Sequence, residues 1–282
     1  MSREALEIRI ATRAEVDLAV SWAAAEGWNP GVVDADCYLA ADPNAFLVGL
    51  LDAQPIACIS VVRYDDRFGF LGFYIVRPEF RGQGHGLRLW NAGLNYLHGC
   101  VVGLDGVVEQ IGNYQKSGFR LAYRHLRFAC QGGGEADGSG VVELSELPFE
   151  ELMSYLAPFF PSAREAFFKR WINQPEAAAL GLYKEGRLRA IGVCRPCLEG
   201  AKIGPLYADD PAAADQLLGA LRSRVSAAQP VFLDVPDCHR AALALAAAHE
   251  MEVKFECARM YKGPAPELPH DRIYGVTSME IG

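Results

Sequence analysis

The chain has 282 residues, enough for about two domains with a buried core in each. Lys+Arg 27 against Asp+Glu 35 gives a net charge of −8, which argues against a general nucleic-acid or anionic-membrane surface but leaves room for a local basic phosphate pocket. Hydrophobic residues at 51% and charged residues at 22% exclude the disordered and fibrous classes.

The start carries Glu4 and Glu7 where a secretory leader needs a basic start and an apolar core, and no apolar run approaches the ~18 residues of a membrane span. The expectation is a soluble, cytoplasmic protein. Glu15 to Ala25 suits a helix behind the capping candidate Thr12, stopping at Gly27. Phe46 to Leu51 is a short apolar strand, and Asp52-Ala53-Gln54-Pro55 supplies a turn. Ile56 to Tyr64 and Phe68 to Val76 read as two further strands joined at Asp65-Asp66-Arg67. Leu87, Trp90, Leu94 and Leu97 then form the stripe of an amphipathic helix. Cys100 to Leu104 is a buried strand, Glu109 to Ser117 a short helix ended by Gly118, and Phe119 to Phe128 a long closing strand.

Residues 131–140 hold five glycines among small and polar residues, the composition of a linker. The division is therefore residues 1–130, a Gly-rich linker at 131–142, and residues 143–282. The two parts match at one offset: Gly49 with Gly181, Ile59 with Ile191, Gly72 with Gly204 and Arg127 with Arg259 (259 − 127 = 132). An ungapped duplication is expected. Eight cysteines read as reduced thiols; Cys194 and Cys197 alone have ligand-like spacing, and without a second pair no metal is expected.

Between the strand ending at Val76 and the helix near Gly86 runs Arg77-Pro78-Glu79-Phe80-Arg81-Gly82-Gln83-Gly84-His85-Gly86. Glycines at alternate positions let the backbone turn tightly, and a helix N-terminus with free N–H groups favours an anion. Arg81 adds a charged donor at the rim. The spacing is neither Gly-x-Gly-x-x-Gly nor a P-loop. It describes a cradle for a phosphate or pyrophosphate.

This loop resembles the coenzyme A loop of the GCN5-related N-acetyltransferases, the GNAT superfamily, and Tyr114-Gln115-Lys116-Ser117-Gly118-Phe119 resembles that family's later Tyr-x-x-x-Gly-Phe. The resemblance covers residues from about 7 to 130. It implies a mixed, mostly antiparallel α/β sheet flanked by helices, with acetyl-CoA as co-substrate. It implies that Tyr74, Ile75 and Val76 pair with the pantetheine arm, and that Arg81 and the amides from Gly82 through Gln83, Gly84, His85, Gly86 and Leu87 hold the pyrophosphate. Tyr114 would protonate the leaving thiolate, a sensible transfer for a phenol near 10 and a thiol of about 8–9. Val107 stands where the family often places an Asn, seven residues before the tyrosine, so contacts made by that Asn are not expected here.

On the acceptor side the candidates are Glu26 as base, Trp28 as a substrate wall, and Asp105 as base or amine binder, or as cap of the following turn. At offset 132 the phosphate loop becomes Ala213-Ala214-Asp215-Gln216-Leu217-Leu218 and Tyr114 becomes Ala246. The second part is thus expected to be a tandem GNAT-like domain without coenzyme, completing the acceptor site or pairing the two sheets. The expected activity is direct acetyl transfer to a primary amine of a small molecule, by a monomer or homodimer without nucleic-acid or membrane partners. An acyl-CoA sensor without turnover, or a protein acetyltransferase, is the competing reading.

Overall fold

The computed structural model describes residues 6–134 and 136–282. In the first half the chain runs β1 (Glu7–Ile10), α1 (Arg13–Ala25), α2 (Asp34–Ala41), β2 (Phe46–Leu51), β3 (Gln54–Arg63), β4 (Phe68–Val76), α3 (His85–Tyr96), β5 (Val101–Val107), α4 (Ile111–Lys116) and β6 (Arg120–Gln131). The second half runs β7 (Val141–Glu143), α5 (Phe149–Leu156), α6 (Glu165–Trp171), β8 (Ala178–Lys184), β9 (Arg187–Pro196), β10 (Ala201–Ala208), α7 (Pro211–Arg222), β11 (Pro230–Pro236), α8 (Arg240–Ala248), β12 (Glu252–Lys262) and β13 (Ile273–Gly275). Thr12 starts α1 with a capping box to Glu15, as its spacing implies. Asp52 and Ala53, at φ 48° and 61°, turn β2 into β3. The stripe on α3 differs from expectation at one end. Leu89, Trp90 and Gly93 are its buried residues, whereas Leu87 is 63% exposed.

All the strands join one mixed, mostly antiparallel sheet in the order β1-β2-β3-β4-β5-β12-β6-β11-β10-β9-β8-β7, with β13 beside β10. The parallel pairs are β4–β5 and β10–β11. Residue 130 divides the sequence but not the sheet. One long strand of each half leaves its own half: β12 pairs with β5, and β6 pairs with β11. The two exchanged strands lie side by side, with His125 directly opposite Cys257 (257 − 125 = 132). A pseudo-two-fold axis therefore passes between these two residues.

Each exchanged strand is pinned by an ion pair. Arg127 on β6 holds Asp234 on β11 through Nε and Nη2 at 2.6 and 2.8 Å. Arg259 on β12 holds Asp105 on β5 in the same two-pronged way, at 2.8 and 2.6 Å. All four side chains are almost fully buried. A planar guanidinium matches a carboxylate with two parallel hydrogen bonds, so each pair fixes strand register as well as charge. Burial alone would raise both aspartates; the facing arginines outweigh it and hold each below the usual carboxylate range.

These pairs also correct the ungapped register. The parallel pairing ends at Leu71–Leu104 in one half and at Ile203–Leu233 in the other. Leu71 and Ile203 differ by 132, but Leu104 and Leu233 differ by 129, as do Asp105 and Asp234. Three residues are lost before β11 and regained before β12. A third cross-half pair, Arg195 on β9 with Asp34 on α2 at 2.9 Å, is fully buried and stacked over Trp171. The largest core cluster takes Phe46, Phe73, Phe168 and Trp171 from both halves.

Removing one partner of a buried pair strands the other charge. Arg259→Met is therefore expected to lower unfolding free energy by about 3–5 kcal/mol in urea titration, with fluorescence and circular dichroism transitions still coincident. The depressed aspartates contribute stability fully above their unfolded value of about 4, and that contribution drains as pH falls below it. The wild-type Tm should drop steeply below pH ~4, and Asp105→Asn should flatten that slope.

Candidate active site

Gly82 and Gly84 adopt φ 75° and 87°, the left-handed region that suits glycine, and carry the chain from β4 into α3. Gly84 is the N-cap of α3 and brings no capping side chain. Among the described residues, the amides of Gly82, Gln83, Gly84, His85, Gly86 and Leu87 enter no turn, cap or side-chain hydrogen bond, and the helix cannot satisfy its own first turn. Gly86 serves close approach: a Cβ there would stand 2.6 Å from the Tyr74 hydroxyl. Arg81 is more constrained than expected. Its Nε donates to the Val76 carbonyl at 2.7 Å and its guanidinium is ion-paired with Glu26.

Beyond Leu71 and Leu104 the strands part, β4 running on to Val76 and β5 to Val107 without pairing. The bend sits at a bulge in β4 where Phe73 takes φ 45°, a costly value for a buried aromatic residue. The gap opens into a cavity of about 840 Å³. Tyr74, Ile75, Val76, Arg81 and Leu87 line one side of it, which accounts for the exposure of Leu87.

Tyr114 reaches the same cavity from α4. Its ring stacks on Trp90 at 5.6 Å, and Trp90 is anchored by its Nε1 on Ser117 at 3.0 Å. Gly106 makes the seat: a Cβ there would be 2.2 Å from Tyr114 Cε2. Burial pushes the phenol well above its ordinary value, with further contributions from Tyr74, Cys257 and Glu109.

The opposite side of the cavity is built by both halves. Trp28 lines the cavity, and its carbonyl accepts from Arg127 Nη1 at 2.6 Å. The loop is stitched to the second half by Asn29, whose side chain bonds both backbone groups of Glu199 at 2.9 and 3.1 Å. Glu26 stands at the mouth with its carboxylate on Arg81. Asp105 reaches the cavity wall but does not cap the following turn; both its oxygens are held by Arg259, with His125 Nδ1 at 3.1 Å. Phe255, Cys257, Met279 and Glu280 complete this wall from the second half. None of these four stood out in the sequence, because nothing local shows where β12 and the tail will lie. The thiol, imidazole and carboxylate of Cys257, His125 and Asp105 come within 4.8 Å of one another, a cluster from three strands that sequence spacing conceals. Cys194 and Cys197 are buried elsewhere in the second half.

The equivalent place in the second half is filled by the chain itself. Where β10 and β11 part beyond Ile203 and Leu233, β13 pairs with β10 at Leu206 and Tyr207, and Val276 N donates to Asp234 O at 2.9 Å. The helix start there is closed as well: Asp210 caps α7, its carboxylate accepting from Ala213 N at 2.9 Å. A carboxylate already occupies the position an anion would take.

Two family models match the chain. One described as an acetyltransferase (GNAT) family covers residues 13–119, and one described as an acetyltransferase (GNAT) domain covers residues 153–275. The chain belongs to the GNAT acetyltransferases. It is an acyl- or acetyltransferase with two GNAT domains in tandem. Holothin acyltransferase of Pseudoalteromonas sp. (strain SANK 73390) is 29% identical over 93% of this chain and 89% of its own length. A solved structure from Pyrococcus horikoshii superposes with a TM-score of 0.84 at 21% identity, covering 100% of this chain and 98% of its own. A tandem GNAT protein from the clavulanic acid biosynthesis pathway matches with a TM-score of 0.63 at 13% identity, over 93% and 100%. Likeness at these identities shows the shared fold.

The Tyr114 seat is directly testable. Gly106→Ala should push the ring off its stack on Trp90, alter tryptophan fluorescence, and cut acetyl transfer at least about tenfold while coenzyme affinity holds.

Proposed function

We propose that this GNAT protein moves an acetyl group from acetyl-CoA directly to a primary amine of a small molecule. The observation that carries the reading is the run of unpartnered main-chain amides from Gly82 to Leu87, flanked by Arg81 and ending at Leu87, both of which line the cavity that also holds Tyr114. These amides, at the positive end of α3, suit a pyrophosphate. The parted edges of β4 and β5 suit the pantetheine arm, added as an extra strand.

The thioester would then reach the level of Tyr114. The raised phenol stays protonated throughout the working pH range. Full proton transfer to a thiolate is uphill for so weak an acid, so Tyr114 acts by donating a hydrogen bond to the departing sulfur. Glu26 and Arg81 fasten the phosphate loop to the end of α1, a commitment that weakens Glu26 as a base. Trp28 forms one acceptor wall.

Direct transfer is supported by Cys257. The thiol lies in the cavity, but burial and then the charge of Asp105 lift it far above its ordinary value, which leaves it protonated and a poor nucleophile. A small acceptor is supported by the cavity's walls, drawn from both halves around the point where the strands part.

Saturating acetyl-CoA should raise the Tm, since only the folded chain offers the amide cradle; no shift at millimolar ligand would remove the reading. Tyr114→Phe should lower kcat about 10- to 1000-fold while acetyl-CoA affinity stays within about twofold. Because the phenol is raised, the wild-type rate should show no alkaline fall assignable to Tyr114 up to about pH 10.

A further inference from the structure

We propose that Glu280 is the docking point for the acceptor's amine, supplied by the second half to a site whose coenzyme is held by the first. The inference rests on the acetyl-transfer reading above. Four carboxylates line the cavity: Glu26, Asp105, Glu109 and Glu280. Glu26 is ion-paired with Arg81 at the mouth, and both oxygens of Asp105 are taken by Arg259. Glu109 is exposed, on the short turn leading into α4.

Glu280 differs from all three. It is 5% exposed, yet it borders the cavity beside Met279. One carboxylate oxygen accepts from Ser278 Oγ at 2.6 Å. The other faces Lys202 Nζ at 3.5 Å, well beyond the ~2.7–2.9 Å of a close charge-assisted bond. Lys202 is shared, its Nζ also standing 3.5 Å from the Trp28 carbonyl. Oε1 therefore keeps capacity for a further donor. Burial alone would raise this carboxyl; Lys202, Arg127 and Arg195 outweigh it and keep Glu280 anionic. A buried anion with a loosely held partner, on the wall of a cavity, selects a small cation.

The backbone supports this placement. The Glu280 carbonyl lies so close to Gly72 that a Cβ there would stand 2.0 Å from it. Gly72 is the first residue of β4 beyond its pairing with β5, so the tail is seated where the coenzyme side of the cavity meets the acceptor side. The ligand class is a primary aliphatic amine. It sheds one proton to solvent, and the neutral nitrogen attacks the thioester carbonyl. The C–N bond forms, the C–S bond breaks, and the nitrogen's surplus proton passes to solvent. The sulfur leaves as a thiolate under the Tyr114 hydrogen bond and takes a proton from solvent.

The test uses the full chain, acetyl-CoA and a panel of primary aliphatic amines, with Glu280→Gln beside the charge-balanced double variant Glu280→Gln/Lys202→Met. Support is a loss of at least about 100-fold in kcat/KM for the amine in both variants, carried mainly by KM. Acetyl-CoA affinity should stay within about twofold, which also shows that the variants fold. Glu280→Asp should recover part of the loss. If both glutamine variants keep kcat/KM within about threefold of wild type, the assignment of Glu280 is overturned while acetyl transfer stands. If wild type binds acetyl-CoA but acetylates no amine in the panel, both readings fall.

Discussion

Two salt bridges decide what this molecule is. Arg127 with Asp234 and Arg259 with Asp105 tie β6 and β12 each to the other half's sheet, with nearly the same bidentate geometry on either side of a pseudo-two-fold axis. Buried charges of this kind are costly to separate and geometrically demanding, so they select a register as much as they stabilise it. Because β12 is held beside β5, Phe255 and Cys257 are carried to the wall of the first half's cavity. Because β6 is held beside β11, Arg127 comes under the carbonyl of Trp28 and sets the loop that follows α1. The site is a product of the exchange, not of either half alone.

The same symmetry shows how one of two equivalent grooves is lost. Both halves keep a parallel strand pair that parts at matching positions, Leu71 and Ile203. In the first half a glycine turn leaves main-chain amides bare at the start of α3. In the second, Asp210 caps α7, and β13 lies against β10 where the strands part. Beyond β13 the chain continues across to the first half, where Tyr64 Oη donates to the Ile281 carbonyl at 2.8 Å, while Arg164 of the second half holds the Gly282 carbonyl through Nη1 at 2.7 Å. One segment thus fills the second half's groove and lines the first half's cavity with Met279 and Glu280.

Much of this was legible in the residues, and the reason is locality. A glycine turn before a helix is written in consecutive positions, as are the Thr12–Glu15 cap and the Tyr114-to-Phe119 marker. The repeat was visible at Gly72 and Gly204 because both sit where a backbone passes close by. Partner choice between strands is not local. Nothing in Arg120 to Gln131 says that its neighbours will be β11 and β12, and so Arg127 read only as half of a repeat. The three-residue slip of β11 hid the kinship of Asp105 with Asp234. Glu280 was invisible for the same reason: a tail of mixed composition gives no periodicity, and its value comes from where β13 delivers it.

The most direct measurement is the stoichiometry of acetyl-CoA per chain by isothermal titration calorimetry. One bound coenzyme per 282-residue chain is the result required by one bare cradle among the described residues and a second groove filled by β13. Two bound coenzymes, or none, would contradict it.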